Sequence, residues 1–398
     1  MKIARSFQRR TIQFVIFVIF GTLCSFRSSN IPSDGKILTI NLEQIAKSSG
    51  SIKLSEIATD ISYVKLETTK DCFFTPSQYI VRGDHIFAKD RDNGKVFLFN
   101  KQGKFIRQIG TIGKGPLEHL GAFNIQASPT GDKVYLFSKS SNHLSCYSAE
   151  GQKLSECPVA YASWWFAPLA NDQHIFLAPF GYPVPDSSAF FYYLQDKKGN
   201  VTKKYQTKTN FPIGGVIEFG NFYINPLTRL TYQQMCDTVF AISDKGAFLP
   251  RYVLDFGKSR IPDEVWYESA KYEKVKYDYI NYINLVETKS TLFVRFIYQK
   301  SNRIGLVSLK DGQMSGFKTD KGLVENDLDG GQDFWPKETD GVNKVYSFIQ
   351  PVNLLQQWQS GEMKNKKFKS QADRDNFVKM VTSLKDDDNP VVMIVNLK

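Results

Sequence analysis

Histidine provides the first candidates for chemistry in this sequence. Four histidines occur in 398 residues. Two of them, His85 in GDHIF and His174 in DQHIF, stand at matching places before an apolar stretch. Neutral imidazole binds divalent metals, and a metal site needs at least three protein ligands. His85, His174 and His119 are therefore candidate ligands for a divalent metal, and the alternative is a structural role repeated with the surrounding sequence.

Aromatic side chains concentrate in two stretches, one between residues 161 and 182 and one between residues 266 and 282. Exposed rings with polar neighbours suit stacking on sugars or peptides. The predicted ligand-binding residues are Trp164, Trp165, Tyr182, Trp266, Tyr267 and Tyr272. Packing of the same rings inside a core is the competing explanation.

Other patterns do not specify catalysis. The glycine-rich segment 110–116 (GTIGKGP) ends in proline, whereas a phosphate-binding loop continues through Lys and Ser or Thr into a helix. The acidic segment 386–390 (DDDNP) lacks the alternating ligands of a calcium loop. Neither a Ser, His and Asp order nor a nucleophile elbow is recognisable. We predict no catalytic residue and no cofactor, with a divalent metal as the alternative.

The five cysteines show neither a C-x-x-C pair nor zinc-like spacing. Cys146 and Cys157 flank a predicted turn, so they could face each other across two strands. Buried free thiols are the favoured prediction for these cysteines.

The net charge of +11 raises the question of a nucleic-acid partner. Proteins that bind nucleic acid gather their basic residues into a patch or stripe. This chain offers only the short cluster 364–369 (KNKKFK), and part of its charge lies at the extreme N-terminus. We predict that nucleic acid is not a partner.

The N-terminal residues 1–24 resemble an export signal. A basic segment leads into the apolar stretch Ile12–Phe20, which is too short for a comfortable transmembrane helix. Cys24 is the candidate lipidated cysteine of a bacterial lipoprotein, although Leu23 departs from the small residue usual before it. Ordinary cleavage nearby is the alternative. The predicted location is the periplasm or the cell surface, with membrane contact only through this anchor or lipid.

A repeated element then indicates which structure positions these candidates. Apolar strand, polar turn with glycine and second strand recur five times, and the turn glycines are Gly103, Gly151, Gly199, Gly246 and Gly312. Their spacings are 48, 48, 47 and 66 residues. Such hairpin turns need a positive φ, which glycine adopts without steric cost.

Four short strands per period of about 48 residues predict an all-β, six-bladed β-propeller. The predicted blades cover about 78–110, 121–157, 163–206, 216–256, 284–318 and the residues from 333 onward. Residues 25–59 form a linker with a leading strand, and 60–398 form the propeller, closed by pairing of its N- and C-terminal strands. A helical insertion at 258–282 precedes blade five, and a second helical segment covers 370–384, with Ser370 and Asp373 at its start.

Several stretches resemble the six-bladed propeller lipoproteins of Bacteroidota, which are similar to NHL-repeat propellers. These stretches are DISYVKLETT (60–69), residues 96–121, DTVF (237–240), YVLDFGKSRIP (252–262) and DDDNPVVMIVNLK (386–398). The resemblance covers nearly the whole chain after residue 35. It implies an envelope location and a scaffold that binds a ligand or partner.

The predicted function is therefore an exported, non-enzymatic propeller that binds a glycan, a peptide or an envelope protein on one face. The alternative is a metal-assisted lyase or hydrolase centred in the channel, of the NHL-like propeller type. The two differ in whether histidine or acidic side chains from three or more blades converge at the axis. The oligomeric state stays open.

Overall fold

The structure is a computed structural model that describes residues 37–178, 190–206, 221–234, 236–266 and 268–398. The predictions at residues 1–24, Cys24, Tyr182 and Tyr267 lie outside these ranges. No helix within the described ranges has the length and apolar character to cross a membrane.

The chain begins with strand β1 (Leu38–Asn41), helices α1 (Leu42–Lys47) and α2 (Leu54–Ile57) and strand β2 (Ala58–Lys65). Blade one follows as β3 (Pro76–Arg82), β4 (His85–Asp90), β5 (Val96–Asn100) and β6 (Phe105–Gln108). A short parallel pair, β7 (Thr111–Ile112) and β8 (Glu118–His119), connects it to blade two. Blade two consists of β9 (Asn124–Ala127), β10 (Lys133–Ser138), β11 (His143–Ser148) and β12 (Lys153–Pro158).

Blade three contains β13 (Trp165–Pro168), β14 (His174–Leu177), β15 (Phe190–Gln195) and β16 (Val201–Gln206), with a 3₁₀ turn at Ala170–Asp172. Blade four contains β17 (Asn221–Ile224), β18 (Arg229–Tyr232), β19 (Thr238–Ile242) and β20 (Phe248–Asp255). The helical insertion comprises α3 (Asp263–Trp266) and α4 (Ser269–Val275), flanked by 3₁₀ turns at Gly257–Ser259 and Lys276–Asp278.

Blade five contains β21 (Asn281–Glu287), β22 (Thr291–Tyr298), β23 (Ser301–Ser308) and β24 (Met314–Thr319). Blade six contains β25 (Glu338–Thr339), β26 (Lys344–Ile349) and β27 (Val391–Leu397). Helices α5 (Pro351–Gln359) and α6 (Gln371–Thr382) lie between β26 and β27. The Ser370 side chain caps α6 by accepting a hydrogen bond from the Asp373 amide.

The prediction of a six-bladed propeller is confirmed. Each of blades one, two, three and five is a four-stranded meander, and blade four adds β1 as a fifth strand. In blade six, β2 pairs antiparallel with β27, so the two ends of the domain share one sheet and close the ring. Aromatic and β-branched residues dominate these strands, as expected for pleated, buried surfaces.

The turn glycines behave as their chemistry requires. Gly103 connects β5 to β6 with φ of 81°, and the other four hairpin glycines also have positive φ. A Cβ at Gly103 would lie 2.1 Å from the Lys65 carbonyl oxygen, because the turn packs directly against β2. This position therefore requires glycine for both its backbone conformation and its packing.

The first described residues, 38–57, run along the outside of the propeller as a strap. Strand β1 pairs parallel to β20 at the outer edge of blade four. Helix α1 then packs on blade five, where Ile45 is buried against Gly305 and Gly316. A Cβ on Gly316 would lie 2.8 Å from the Ile45 Cα, so the two glycines allow the helix to approach the sheet closely.

Candidate functional site

The innermost strands of all six blades surround a central cavity of about 620 Å³. Its walls come from β3, β9, β13, β17, β21 and β25, together with residues 332–337 and the start of α5. Neighbouring blades are also joined by hydrogen bonds near the axis. Tyr223 of β17 donates its hydroxyl to the Ile283 carbonyl of β21 at 2.9 Å. The cavity is therefore the channel of the propeller.

Arg82 lies across this channel at the end of β3. Its Nη1 donates to Glu338 Oε2 at 2.8 Å and to the Val81 carbonyl at 2.7 Å, and its Nη2 donates to the Ile224 carbonyl at 2.9 Å. These acceptors belong to blades six, one and four, and blades one and four stand opposite each other in a ring of six. The Arg82 side chain is only 1% exposed. Its guanidinium therefore ties three blades together at one end of the channel.

Glu338, the partner of Arg82, illustrates the electrostatics of this end. Burial raises the pKa of Glu338, and the Arg82 charge and hydrogen bond oppose that rise. A buried carboxylate without a cation would be strongly disfavoured. The Arg82–Glu338 ion pair, which forms a plug at this end of the channel, is therefore structural, and each of its charges is bound by the other.

The wall beside blades five and six carries an aromatic surface with polar groups. The Trp335 indole donates to Asn284 Oδ1 at 3.1 Å and packs edge-on against Phe293. The Arg295 guanidinium lies 4.7 Å from the centre of the Trp335 ring. Across the wall, Tyr79 stacks on Phe348 with ring centres 3.7 Å apart. Trp335 and Phe348 are themselves buried, so these rings form the packed wall of the channel.

Two cations line the same wall. Arg295 comes from β22, and Lys337 immediately precedes β25. Desolvation lowers the pKa of Arg295. Desolvation and the nearby Arg295 charge lower the pKa of Lys337, although this side chain is exposed. The Arg295 charge therefore disfavours the charged form of Lys337.

The structure places the three candidate metal ligands in separate surroundings. His85 Nδ1 contacts the Gly131 carbonyl at 2.8 Å between blades one and two. His119 is buried against Tyr147, and its Nδ1 accepts from the Gly121 amide. His174 is buried beside Tyr135 and Phe166, and burial lowers its pKa to about 4. Within the described ranges, no three His, Cys, Asp or Glu side chains are grouped so as to hold a metal.

The predicted aromatic residues divide between the channel and other places. Trp165 of β13 lines the cavity. Trp164 is exposed and has the Lys139 ammonium 5.1 Å from its ring centre. Trp266 and Tyr272 are buried and pack against each other inside the helical insertion, with their ring centres 5.2 Å apart. Their rings form the small core of that insertion instead of a surface for stacking.

The remaining motifs have local structural explanations. In segment 110–116, the Gly115 amide donates to Glu118 Oε2 at 2.6 Å, so the chain's own carboxylate occupies the glycine-rich turn. Asn389, in the acidic segment, is buried and donates to the Glu67 and Cys72 carbonyls. Cys146 and Cys157 are buried free thiols that face Ser155 and Leu144 across the hairpin.

Sequence reasoning missed Arg82, Arg295, Trp335 and Lys337. One of them carried a usable signal, because Arg295 in TLFVRFIY interrupts a strand that is otherwise mostly apolar, whereas Arg82 only ends its strand. A charge in such a strand is costly unless it is paired or faces a wet cavity. Trp335 and Lys337 lie in an irregular segment before a two-residue strand, where no periodic pattern marks their direction.

Comparisons with known proteins agree with this architecture. The profile of a domain of unknown function, DUF4934, matches residues 37–396. A Bacteroides fragilis NCTC 9343 protein described as exported has a similar structure, with a TM-score of 0.72 and 17% identity over 91% of this chain and 100% of that one. A DUF4221 member from Bacteroides vulgatus ATCC 8482 gives a TM-score of 0.53 and 11% identity, over 86% and 97%. No curated protein matches the chain. At these identities the two structures support the fold alone.

Proposed function

The chain belongs to the DUF4934 family of domains of unknown function, and on that premise we propose that it is an exported, non-enzymatic propeller that binds a small glycan or peptide in its central channel. The observation that carries the proposal is the cavity of about 620 Å³ lined by every blade. Small-molecule sites are concave, of roughly 300–1,000 Å³, and combine apolar rings with a few polar groups. The channel meets the conditions of shape and volume, and its lining is more polar than is usual for such sites.

The lining supports a ligand with hydroxyl or amide groups. Trp165 supplies a half-buried ring, and Asn221 and Asn353 supply amides that can donate and accept hydrogen bonds. The buried Oε1 of Gln332, also in the lining, has no hydrogen-bond partner among the described residues. A buried acceptor without a partner costs free energy, and a ligand hydroxyl or amide would satisfy it.

The metal-assisted alternative finds less support in the described part of the channel. The lining of the channel contains the carboxylates Glu287 and Glu338. Glu287 accepts from the Tyr252 hydroxyl at 2.6 Å and from Arg251 at 3.2 Å, and Glu338 is bound to Arg82. Neither is arranged with two further ligands for a metal. Binding without catalysis accounts for the lining more directly.

Binding should depend on access to the channel, which a blocking variant tests. Asn353 is an exposed residue at the start of α5 that lines the cavity, so Asn353→Trp would fill part of it without removing a buried contact. Gln356→Trp, on the same helix and also exposed but outside the cavity lining, is the matched control.

The experiment screens the chain from residue 25 onward on glycan and peptide arrays and repeats each positive by titration calorimetry. We expect wild type and Gln356→Trp to bind alike, and Asn353→Trp to bind at least about tenfold more weakly. Equal binding by Asn353→Trp, or no binding to any glycan or peptide, would overturn the proposal.

The proposal of export rests on the N-terminal sequence and on the similar exported Bacteroides protein. Cys24 is the proposed lipid attachment site. Metabolic labelling with a fatty acid should mark wild type and not Cys24→Ser, and an unlabelled wild type would leave simple cleavage as the outcome.

A further inference from the structure

Arg295 and Lys337 share the channel wall without a carboxylate between them. Each lines the cavity. No ion pair joins either cation to an acidic side chain in the described ranges. The only hydrogen bond of the Arg295 side chain there goes to the Gly322 carbonyl at 3.3 Å. Arg295 therefore keeps most of its five donors available for something else.

The two carboxylates of the lining cannot neutralise these cations, because each carboxylate is already bound by other side chains. Glu287 is held by Arg251 and Tyr252, and Glu338 by Arg82. A second positive charge beside the partly buried Arg295 is unfavourable for the free protein. Proteins keep such an arrangement where an anion is to be bound, as in phosphate and carboxylate sites.

The surroundings of the pair indicate the kind of anion. The Arg295 guanidinium lies 4.7 Å from the centre of the Trp335 ring and offers a planar fork of donors that matches a carboxylate, and the Lys337 ammonium adds a mobile point charge. The buried Oε1 of Gln332 has no hydrogen-bond partner within the described ranges, so it could accept a hydrogen bond from a ligand hydroxyl or amide if the side chain turns toward the cavity. The partners thus suit a small molecule that combines one acidic group with several polar groups.

We propose that the channel ligand carries a carboxylate, which Arg295 and Lys337 bind together. The proposal rests on the proposed function, since it specifies the chemistry of the ligand in that same cavity. The carboxylate belongs to an acidic sugar or to a peptide, and the two pairs of probes in the titrations described below distinguish these sources.

The first arm measures thermal unfolding without ligand. Lys337→Met removes one of two repelling charges, so its Tm should equal or exceed that of wild type. Lys310→Met, at an exposed turn between β23 and β24, is the control for loss of one charge. A cation with a purely structural role would give the opposite result, a clear fall in Tm for Lys337→Met alone.

The second arm titrates matched acid and neutral probes: D-glucuronic acid against D-glucose, and N-acetylglutamate against N-acetylglutamine. We expect one acid to bind wild type, Lys310→Met and Lys337→Arg at least about tenfold more tightly than its neutral partner. Lys337→Met should lose that preference. Equal binding of the acid and neutral probes, or binding of neither acid, would overturn the inference.

The outcomes separate this inference from the proposed function. A neutral glycan that binds wild type but not Asn353→Trp would preserve the channel as the site and refute the carboxylate. Array hits that bind Asn353→Trp unchanged would refute both.

Discussion

Replacing Arg82 with methionine probes the plug that joins three blades across the channel. Methionine keeps much of the buried length of the side chain but removes the guanidinium, which leaves Glu338 buried without its cation. It also removes the donors to the Ile224 and Val81 carbonyls. The substitution therefore raises the free energy of the folded state and not that of the unfolded chain, because water hydrates all of these groups when the chain unfolds.

The size of the effect follows from the burial. Removing one partner of a buried ion pair costs about 3–5 kcal/mol. A domain of about 360 residues has an unfolding entropy near 0.8 kcal/mol/K, at about 2.1 cal/mol/K per residue. Arg82→Met should therefore lower Tm by about 4–7 °C. Arg91→Met, which breaks an exposed pair with Asp92, should change Tm by less than about 1 °C.

The deficit should depend on pH with a definite sign. The pKa of Glu338 is already raised by burial, and loss of the Arg82 charge raises it further. The folded variant then binds a proton more readily than the unfolded chain, so its deficit is largest at neutral pH. It should shrink as the pH falls through the raised pKa toward the ordinary value of 4.5.

Thermal scans at several pH values, with Arg82→Met/Glu338→Gln as the second variant, test this reasoning. The double variant should recover part of the loss, because no buried charge remains without a partner. A Tm for Arg82→Met within 1 °C of that of Arg91→Met, or a deficit that grows on acidification, would refute it.

Three further predictions concern other parts of the domain. Gly103→Ala should lower the free energy of unfolding in urea clearly more than Gly361→Ala does. Both glycines have positive φ, which costs alanine about 1–2 kcal/mol, but only Gly103 has a backbone atom against its Cβ position. Equal losses would contradict the packing of this turn on β2. Ile45→Ala should lower the free energy of unfolding by about 2–4 kcal/mol, because α1 buries this side chain on blade five. Lys47→Ala, on the same helix, should lower it by less than about 0.5 kcal/mol. A similarly small loss for both variants would mean that the strap contributes little to stability. Burial lowers the pKa of His174 from its ordinary 6.5 to about 4, so the unfolded chain binds the proton more readily than the folded one. The free energy of unfolding should therefore fall by up to about 3 kcal/mol as the pH drops from 6.5 to 4. His174→Phe should remove that part of the pH dependence, and an unchanged pH dependence would show that another group causes it.

The sequence was most informative where one local requirement repeats. A glycine at positive φ marks the third turn of blades one to five, and its regular spacing is visible without a structure. The strap was harder to foresee. Strand β1 has four residues, and its parallel pairing with β20 depends on which blade edge the closed ring brings near. Helix α5 was also missed, since it begins at Pro351 directly after the strand pattern of β26.

The candidate site was less predictable than the fold, because channel residues are selected by position in the ring and not by a local motif. Trp165 and Trp266 both lie in stretches of the sequence that are rich in aromatic residues. Trp165 lines the channel, whereas Trp266 packs against Tyr272. The direction of each ring depends on the alternation of its strand or on the core of the insertion. Arg82 acquires its role only when blades four and six come within reach of its guanidinium.

The most direct test of the central claim, that the channel is the binding site, is a crystal structure of the protein grown with a ligand from the arrays. We expect ligand density inside the channel between Trp165 and Trp335, with a polar ligand atom within hydrogen-bond distance of Gln332. Density confined to the outer edges of the blades, or to the helical insertion, would contradict it.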